Sequence, residues 1–399
     1  LQGSEIYVKK IALSIEKFSR SAGGAELYSV SIASALVNER WEVHLFGRSW
    51  EGEPGEANFH EIAVPNYLPS WMKMLVFALK HRSILRNQSF DVILGFGNTL
   101  LMNVYQSHGG VHWYSTMRKT YSERNPFRRW IKRLIIKLSL KQWVRHWIES
   151  APFRQEKRPV IIAISHMVKE DMVSYYGLAE EDIRIVYNGV NHEKYNPQIR
   201  QTLRGPIREE LGVNEEDVVF LFVSYDLKKK GIMPLVDAVA RLKQSNNANF
   251  KLLVVGGHPS QSLRRYIGKR NVRDMIVFKG ATRSIEQVYA DSDVMVLPTY
   301  YDACSLVVIE AMACGLPPIT TVYNGVAGII TDGHNGYVIN HPPHPEELSE
   351  KMRVLLSRER RMRMSEEAIR TSKSLTMEEN HRQIIELCNR VAESNPIER

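Results

Sequence analysis

Cysteine is scarce in this 399-residue chain. Only Cys304, Cys314 and Cys388 occur, an odd number with no C-x-x-C pair. That excludes a disulfide framework and a zinc site of the usual spacing, and it suits a reducing cytoplasm. No run approaches the ~18 consecutive apolar residues that a membrane span requires. The first residues carry no signal-peptide pattern, and Leu1 to Ser4 read as a tag remnant to be set aside. Tandem repeats and low-complexity segments are also missing. What remains is ordinary globular composition, 44% hydrophobic and 24% charged, enough for two domains of roughly 100–200 residues each.

The net charge of +9 is concentrated in one place. From Tyr114 to Arg158 there are thirteen Lys and Arg against three Glu, a surplus of +10. Within that belt, residues 125–140 (NPFRRWIKRLIIKLSL) are amphipathic at helical spacing. Phe127, Trp130, Ile131, Leu134, Ile135 and Leu138 share one face, and Arg128, Arg129, Lys132, Arg133 and Lys137 the other. A basic amphipathic helix points to an anionic membrane surface; the alternative is an ordinary helix with its apolar face on the core. No nucleic-acid motif accompanies the charge.

Short apolar runs alternate with helical stretches along the whole chain. Strands are predicted over 9–15, 41–47, 91–97, 160–165, 217–224, 250–257, 275–280 and 293–299. Strand–helix alternation of this kind gives parallel sheets in an α/β fold. The boundary is placed near Asn196-Pro197. The resulting domains are 5–196, with a basic insertion at about 114–158, and 197–376. A last helix from Met377 is expected to pack back on the first domain.

Residues 298–315 (PTYYDACSLVVIEAMACG) form the most specific motif. A strand ends at Pro298, a loop carries Asp302, and a helix opening near Ser305 carries Glu310. The free N–H groups of a helix start suit a diphosphate. Ser305 to Glu310 spans roughly 7–8 Å at ~1.5 Å per residue. A nucleotide sugar laid along the helix would have Asp302 at the sugar and Glu310 at the ribose hydroxyls.

This segment resembles the acidic-x7-Glu signature of retaining GT-B glycosyltransferases of family 4. The family usually has Glu at the first position, and a Gly-rich loop where Ala303, Cys304, Ser305 and Leu306 stand here. The resemblance, strongest to bacterial lipopolysaccharide core glucosyltransferases, extends to three further segments. SYDLKKKG (224–231) places Lys229 and Lys230 where the family neutralises the donor diphosphate, with Tyr225 in place of a usual Arg. SAGGAE (21–26) supplies Gly23 and Gly24 at the loop facing the phosphates and acceptor. VYQSHGGVHW (104–113), read as a loop, offers His108, or else His112, against the donor sugar.

The resemblance implies a GT-B architecture, two Rossmann-like domains with parallel sheets facing a central cleft. It implies Asp302, His108 and Lys230 as catalytic residues. Gly23, Gly24, Lys229, Lys230, Cys304, Ser305, Leu306 and Glu310 would bind a nucleotide-sugar donor, most simply UDP-glucose. The acceptor would be a lipopolysaccharide-core or other lipid-linked saccharide, and the enzyme peripheral on the inner face of a bacterial cytoplasmic membrane. No metal is expected. The D-x-D at Asp291-Ser292-Asp293, a metal motif in another glycosyltransferase fold, precedes a buried strand here and is read as a helix or turn cap.

Overall fold

The computed structural model describes residues 7–19, 24–51, 55–245 and 249–394. Two compact units emerge. The first comprises Leu1–Thr116, Phe127–Tyr187 and Asn380–Arg399, the second Met117–Pro126 and Asn188–Glu379. The chain passes between them at Tyr187/Asn188 rather than at 196. The ten residues Met117–Pro126, inside the basic belt, belong to the second unit.

In the first unit seven strands form one parallel sheet: β1 (Lys10–Ser14), β2 (Glu42–Gly47), β3 (Asn58–Glu61), β4 (Val92–Gly95), β5 (Val104–Ser107), β6 (Val160–Ala163) and β7 (Ile183–Ile185). Their order is β3-β2-β1-β4-β5-β6-β7. Residues such as Ile11, Leu13, Leu45, Val92 and Leu94 are fully enclosed, as a sheet covered on both faces requires. Helix α1 (Gly24–Asn38) follows β1, and the basic belt holds α2 (Pro126–Leu138) and α3 (Leu140–Ser150).

The second unit repeats the plan with β8 (Val218–Ser224), β9 (Phe250–Gly256), β10 (Ile276–Gly280), β11 (Val294–Leu297), β12 (Pro318–Thr321) and β13 (Tyr337–Ile339), in the order β10-β9-β8-β11-β12-β13. Its connecting helices include α4 (Ile232–Ser245), α5 (Gln261–Lys269), α6 (Ile285–Asp291) and α7 (Leu306–Ala313). In both sheets the order reverses beside the first strand. In open α/β sheets, ligands gather at the carboxyl ends of the strands flanking that reversal. Here those strands are β8 and β11. The last helix, α8 (Met377–Ser394), adds Ile384, Cys388 and Val391 to the apolar core around β1, β2 and β4.

Two sequence expectations change. Residues 104–107 are not loop: VYQS is strand β5, with all four residues buried between β4 and β6. Polar Gln106 and Ser107 mask it in the sequence. Two short strands, Asn58–Glu61 and Ile183–Ile185, lie at the sheet edges, where pairing on one side tolerates a mixed composition. Among the described residues no helix is long and apolar enough to cross a membrane.

Candidate active site

The turn after β8 and the segment after β11 are locked together at the backbone. Gly231 has φ +88°, and a Cβ there would lie 2.0 Å from the Pro298 carbonyl oxygen. Only glycine fits so close an approach in that conformation. The Tyr300 N–H donates to the Lys229 carbonyl at 3.2 Å. This contact carries the Lys230 ammonium onto the Asp302 carboxylate in a direct ion pair. Both side chains are sheltered but open to solvent, at 25% and 19% exposure, so a ligand can reach them. Lys229 turns elsewhere and pairs with Asp226 at 2.5 Å.

Asp302 sits on a rigid backbone. Its N–H donates to the Tyr323 carbonyl at 2.9 Å, and its carbonyl accepts from Gly325 N–H at 2.8 Å. Between those two partners lies Asn324, fully buried. Its Oδ1 accepts from the Ser305 and Val326 N–H groups, each at 3.3 Å, and its Nδ2 donates to Thr320 Oγ1 at 3.0 Å. Asn324 thus ties the acidic loop to the end of β12. The sequence held a signal for it, because the pentapeptide VYNGV occurs twice, at 186–190 and 322–326. The Arg118 guanidinium lies 3.8 Å from the centre of the Tyr323 ring, a cation–π contact that brings the belt segment of this unit beside the loop.

Helix α7 begins behind Asp302. Ser305 is its N-cap, with no side-chain capping bond. The N–H groups of Leu306 and Val307 have no acceptor among the described residues, leaving the helix start to an anion. Cys304, Ser305 and Leu306 contribute backbone here. Burial pushes the Cys304 thiol up to about 12, so it stays protonated and is no nucleophile. Farther along α7, one oxygen of Glu310 accepts from Tyr289 Oη at 2.7 Å. Burial raises the Glu310 carboxyl above the ordinary range, against the lowering effect of that hydrogen bond.

The first unit holds the other candidates. The His108 ring lies tilted against Tyr28 and Phe96, with ring centres 4.4 and 5.3 Å away. Its buried Nε2 has no hydrogen-bond partner, and burial lowers the ring to about 3, leaving it neutral at physiological pH. Thr99 Oγ1, Gln106 Oε1 and Ser107 Oγ are buried and unpartnered as well. Orphaned polar atoms near the carboxyl ends of β4 and β5 are what a polar ligand would satisfy. His112 is engaged instead, its Nε2 against Gln142 Oε1 at 2.5 Å. Gly24 opens α1 and is exposed. Gly23 lies outside the described residues.

The D-x-D carboxylates are consumed by the fold. Asp291 accepts from the N–H groups of Gly205 at 2.6 Å and Ile207 at 3.1 Å. Asp293 is enclosed by Arg200, Arg204 and Arg208 at 2.9, 3.1 and 3.1 Å, and accepts from Val219 N–H. Burial alone would raise the Asp293 carboxyl, but these partners outweigh it and hold the group below the usual carboxylate range. Its place is beside the amino end of β11, opposite the strand ends that carry Lys230 and Asp302.

The amphipathic helix α2 has no buried residue. Trp130 is 60% and Leu138 75% exposed, and Phe127, Ile135, Leu140 and Trp143 are exposed with them. The core-packed alternative therefore does not hold within this unit.

The glycosyl transferases group 1 family matches residues 204–371, and Glycosyltransferase Family 4 matches residues 22–194. Lipopolysaccharide glucosyltransferase WaaG of Escherichia coli is 26% identical over 339 residues, covering 84% of this chain and 86% of its own. N-acetyl-alpha-D-glucosaminyl L-malate synthase of Bacillus anthracis is 28% identical, the match covering 47% of each chain. The crystal structure of WaaG superposes with a TM-score of 0.78 at 23% identity, covering 95% of this chain and 99% of that one. HepE of Anabaena in complex with UDP-glucose gives 0.65 at 19% identity, with 96% and 99% covered.

Proposed function

We propose that this chain, which belongs to the GT-B glycosyltransferases of group 1 and family 4, moves glucose from UDP-glucose onto a lipopolysaccharide-core or related glycolipid, with retention and without a metal ion. The observation that carries this reading is the Lys230–Asp302 pair at the start of α7, with Glu310 farther along the same helix. The donor diphosphate would sit at the N–H groups of Leu306 and Val307, with Lys230 exchanging Asp302 for phosphate. Freed of Lys230, Asp302 would accept from sugar hydroxyls. The second oxygen of Glu310 would take the ribose hydroxyls. A carboxylate offers about four lone-pair sites, so the bond to Tyr289 leaves it capacity.

With the carboxylates of Asp302 and Glu310 assigned to sugar and ribose hydroxyls and the Cys304 thiol protonated, the proposed route is a front-face transfer. The acceptor oxygen forms its bond to the anomeric carbon on the face the phosphate leaves. The bond from that carbon to the phosphate oxygen breaks, and the acceptor's hydroxyl proton passes to the leaving UDP. Lys230 and the helix start stabilise the charge growing on that phosphate. His108, in the first unit, is neutral and so suited to a hydrogen-bonding rather than a charged role. The exposed apolar and basic faces of α2 would seat the enzyme on an anionic membrane, at roughly 1 kcal/mol per basic residue near the surface.

Incubating the protein with radiolabelled UDP-glucose and rough-mutant lipopolysaccharide tests the reading. Label should appear in the glycolipid, α-linked, at the same rate with or without EDTA. Transfer absent with every hexose donor would overturn it.

A further inference from the structure

The turn that delivers Lys230 to Asp302 also borders a separate cavity of about 750 Å³, within the second unit. Tyr225, Asp226 and Lys228 form one wall, the first turns of α4 and α5 two others, and residues 122–124 close it. Its volume is that of a small-molecule site. We propose that this cavity is a subsite for the saccharide head of the glycolipid acceptor, with Tyr225 as its stacking platform. The proposal rests on the acceptor and membrane reading given above.

The lining selects the ligand class. The charged groups at the wall are already matched: Lys228 with Glu123 at 3.4 Å, Arg124 with Asp237 at 3.1 Å, and Asp226 with Lys229 at 2.5 Å. Because these pairs cancel, the wall offers a phosphate no net positive charge, whereas a neutral polyhydroxylated ligand needs only the hydrogen-bonding capacity that the paired groups keep. The Ser260 and Ser262 hydroxyls, 2.8 Å apart, add donors and acceptors. Tyr225 is 78% exposed at the rim, so its ring is open to a ligand. A pyranose has a C–H face and a hydroxyl edge, and an aromatic ring beside polar groups serves both.

Chain continuity selects the source. Arg124, on the cavity wall, precedes Phe127, the first exposed apolar residue of α2, by three residues. Even fully extended, three residues reach only about 11 Å. The segment that borders the cavity is thus the chain leading into α2, which is why the glycolipid acceptor proposed above is chosen as the occupant.

The test uses a deacylated inner-core lipopolysaccharide oligosaccharide as the probe, with the full chain, by saturation-transfer NMR. Tyr225→Ala should raise the dissociation constant about tenfold, a loss typical of truncating a contact aromatic. Tyr225→Phe should stay within about twofold of the parent, since the ring is kept. Saturating UDP should leave oligosaccharide binding in place. No binding by the parent, an unchanged constant in Tyr225→Ala, or displacement by UDP would each overturn the subsite. Transfer from UDP-glucose, assayed on the same preparations, separates the two claims. Binding through Tyr225 without transfer sinks the donor reading alone, and transfer with no effect of Tyr225→Ala on binding sinks the subsite alone.

Discussion

The proposed donor site rests on four side chains of the second unit, Lys229, Lys230, Asp302 and Glu310. Lys230 and Asp302 neutralise each other until a donor arrives, while Lys229 is held by Asp226. Lys230→Ala should therefore weaken UDP binding more than Lys229→Ala does, a contrast that calorimetry reads directly. Glu310→Ala should cost on the order of 1.5–3 kcal/mol of donor affinity, the worth of a hydrogen bond to a charged group. Asp302→Ala should act mainly on turnover. The raised Glu310 carboxyl gives a pH signature. Only the ionised group accepts from two hydroxyls, so donor affinity should fall as pH drops, beginning above the range of an ordinary carboxylate. A pH titration of UDP-glucose binding in which parent and Glu310→Gln run parallel would remove Glu310 from the ribose. Asp293 has a different task. Asp293→Ala removes a buried carboxylate shared by three arginines, two of which keep other partners, and should cost about 3 kcal/mol of stability, read from urea unfolding.

At the scale of elements, legibility followed the physics of burial. Runs such as 218–222 are enclosed on both faces and declare themselves by continuous hydrophobicity. Strand β5 did not, since Gln106 and Ser107 are buried for their polar atoms rather than their apolar area. The acidic loop and α7 were legible because their spacing is local. Asn324 was marked only by the repeated VYNGV, which does not reveal its role, because it acts on Ser305 from nineteen residues away through buried hydrogen bonds. The opposite engagements of Lys229 and Lys230 were also hidden, being set by how Gly231 crosses Pro298. For α2, pattern alone left two readings; its exposed apolar face speaks against the core-packed one, and the membrane reading is the proposal that remains to be tested. Replacing Arg128, Arg129, Lys132 and Arg133 with Gln should release the protein from anionic vesicles, as should ~1 M salt, where the Debye length is about 3 Å. Flotation that is unchanged by charge removal but lost in Trp130→Ala with Leu138→Ala would assign the binding to the apolar face. A parent that does not float at low salt would mean that α2 is no membrane site.

At the scale of the molecule, two sheets of the same strand order do different work. The second unit gathers its charged groups at the β8/β11 reversal. The first unit leaves buried polar atoms unpaired near the ends of β4 and β5 and exposes the helix proposed for the membrane. Its core is completed by α8 from the far end of the chain, so the first unit cannot finish folding until the second has been synthesised. The central claim is that the second unit's site holds a nucleotide sugar between Lys230, Asp302 and Glu310. Isothermal titration of UDP-glucose into the parent and into Glu310→Ala, with EDTA throughout, addresses it most directly. The account predicts one site per chain in the parent and a dissociation constant raised at least about tenfold in the variant, as loss of a charged hydrogen bond implies. Equal affinity in the two proteins, or binding that requires a divalent cation, would contradict it.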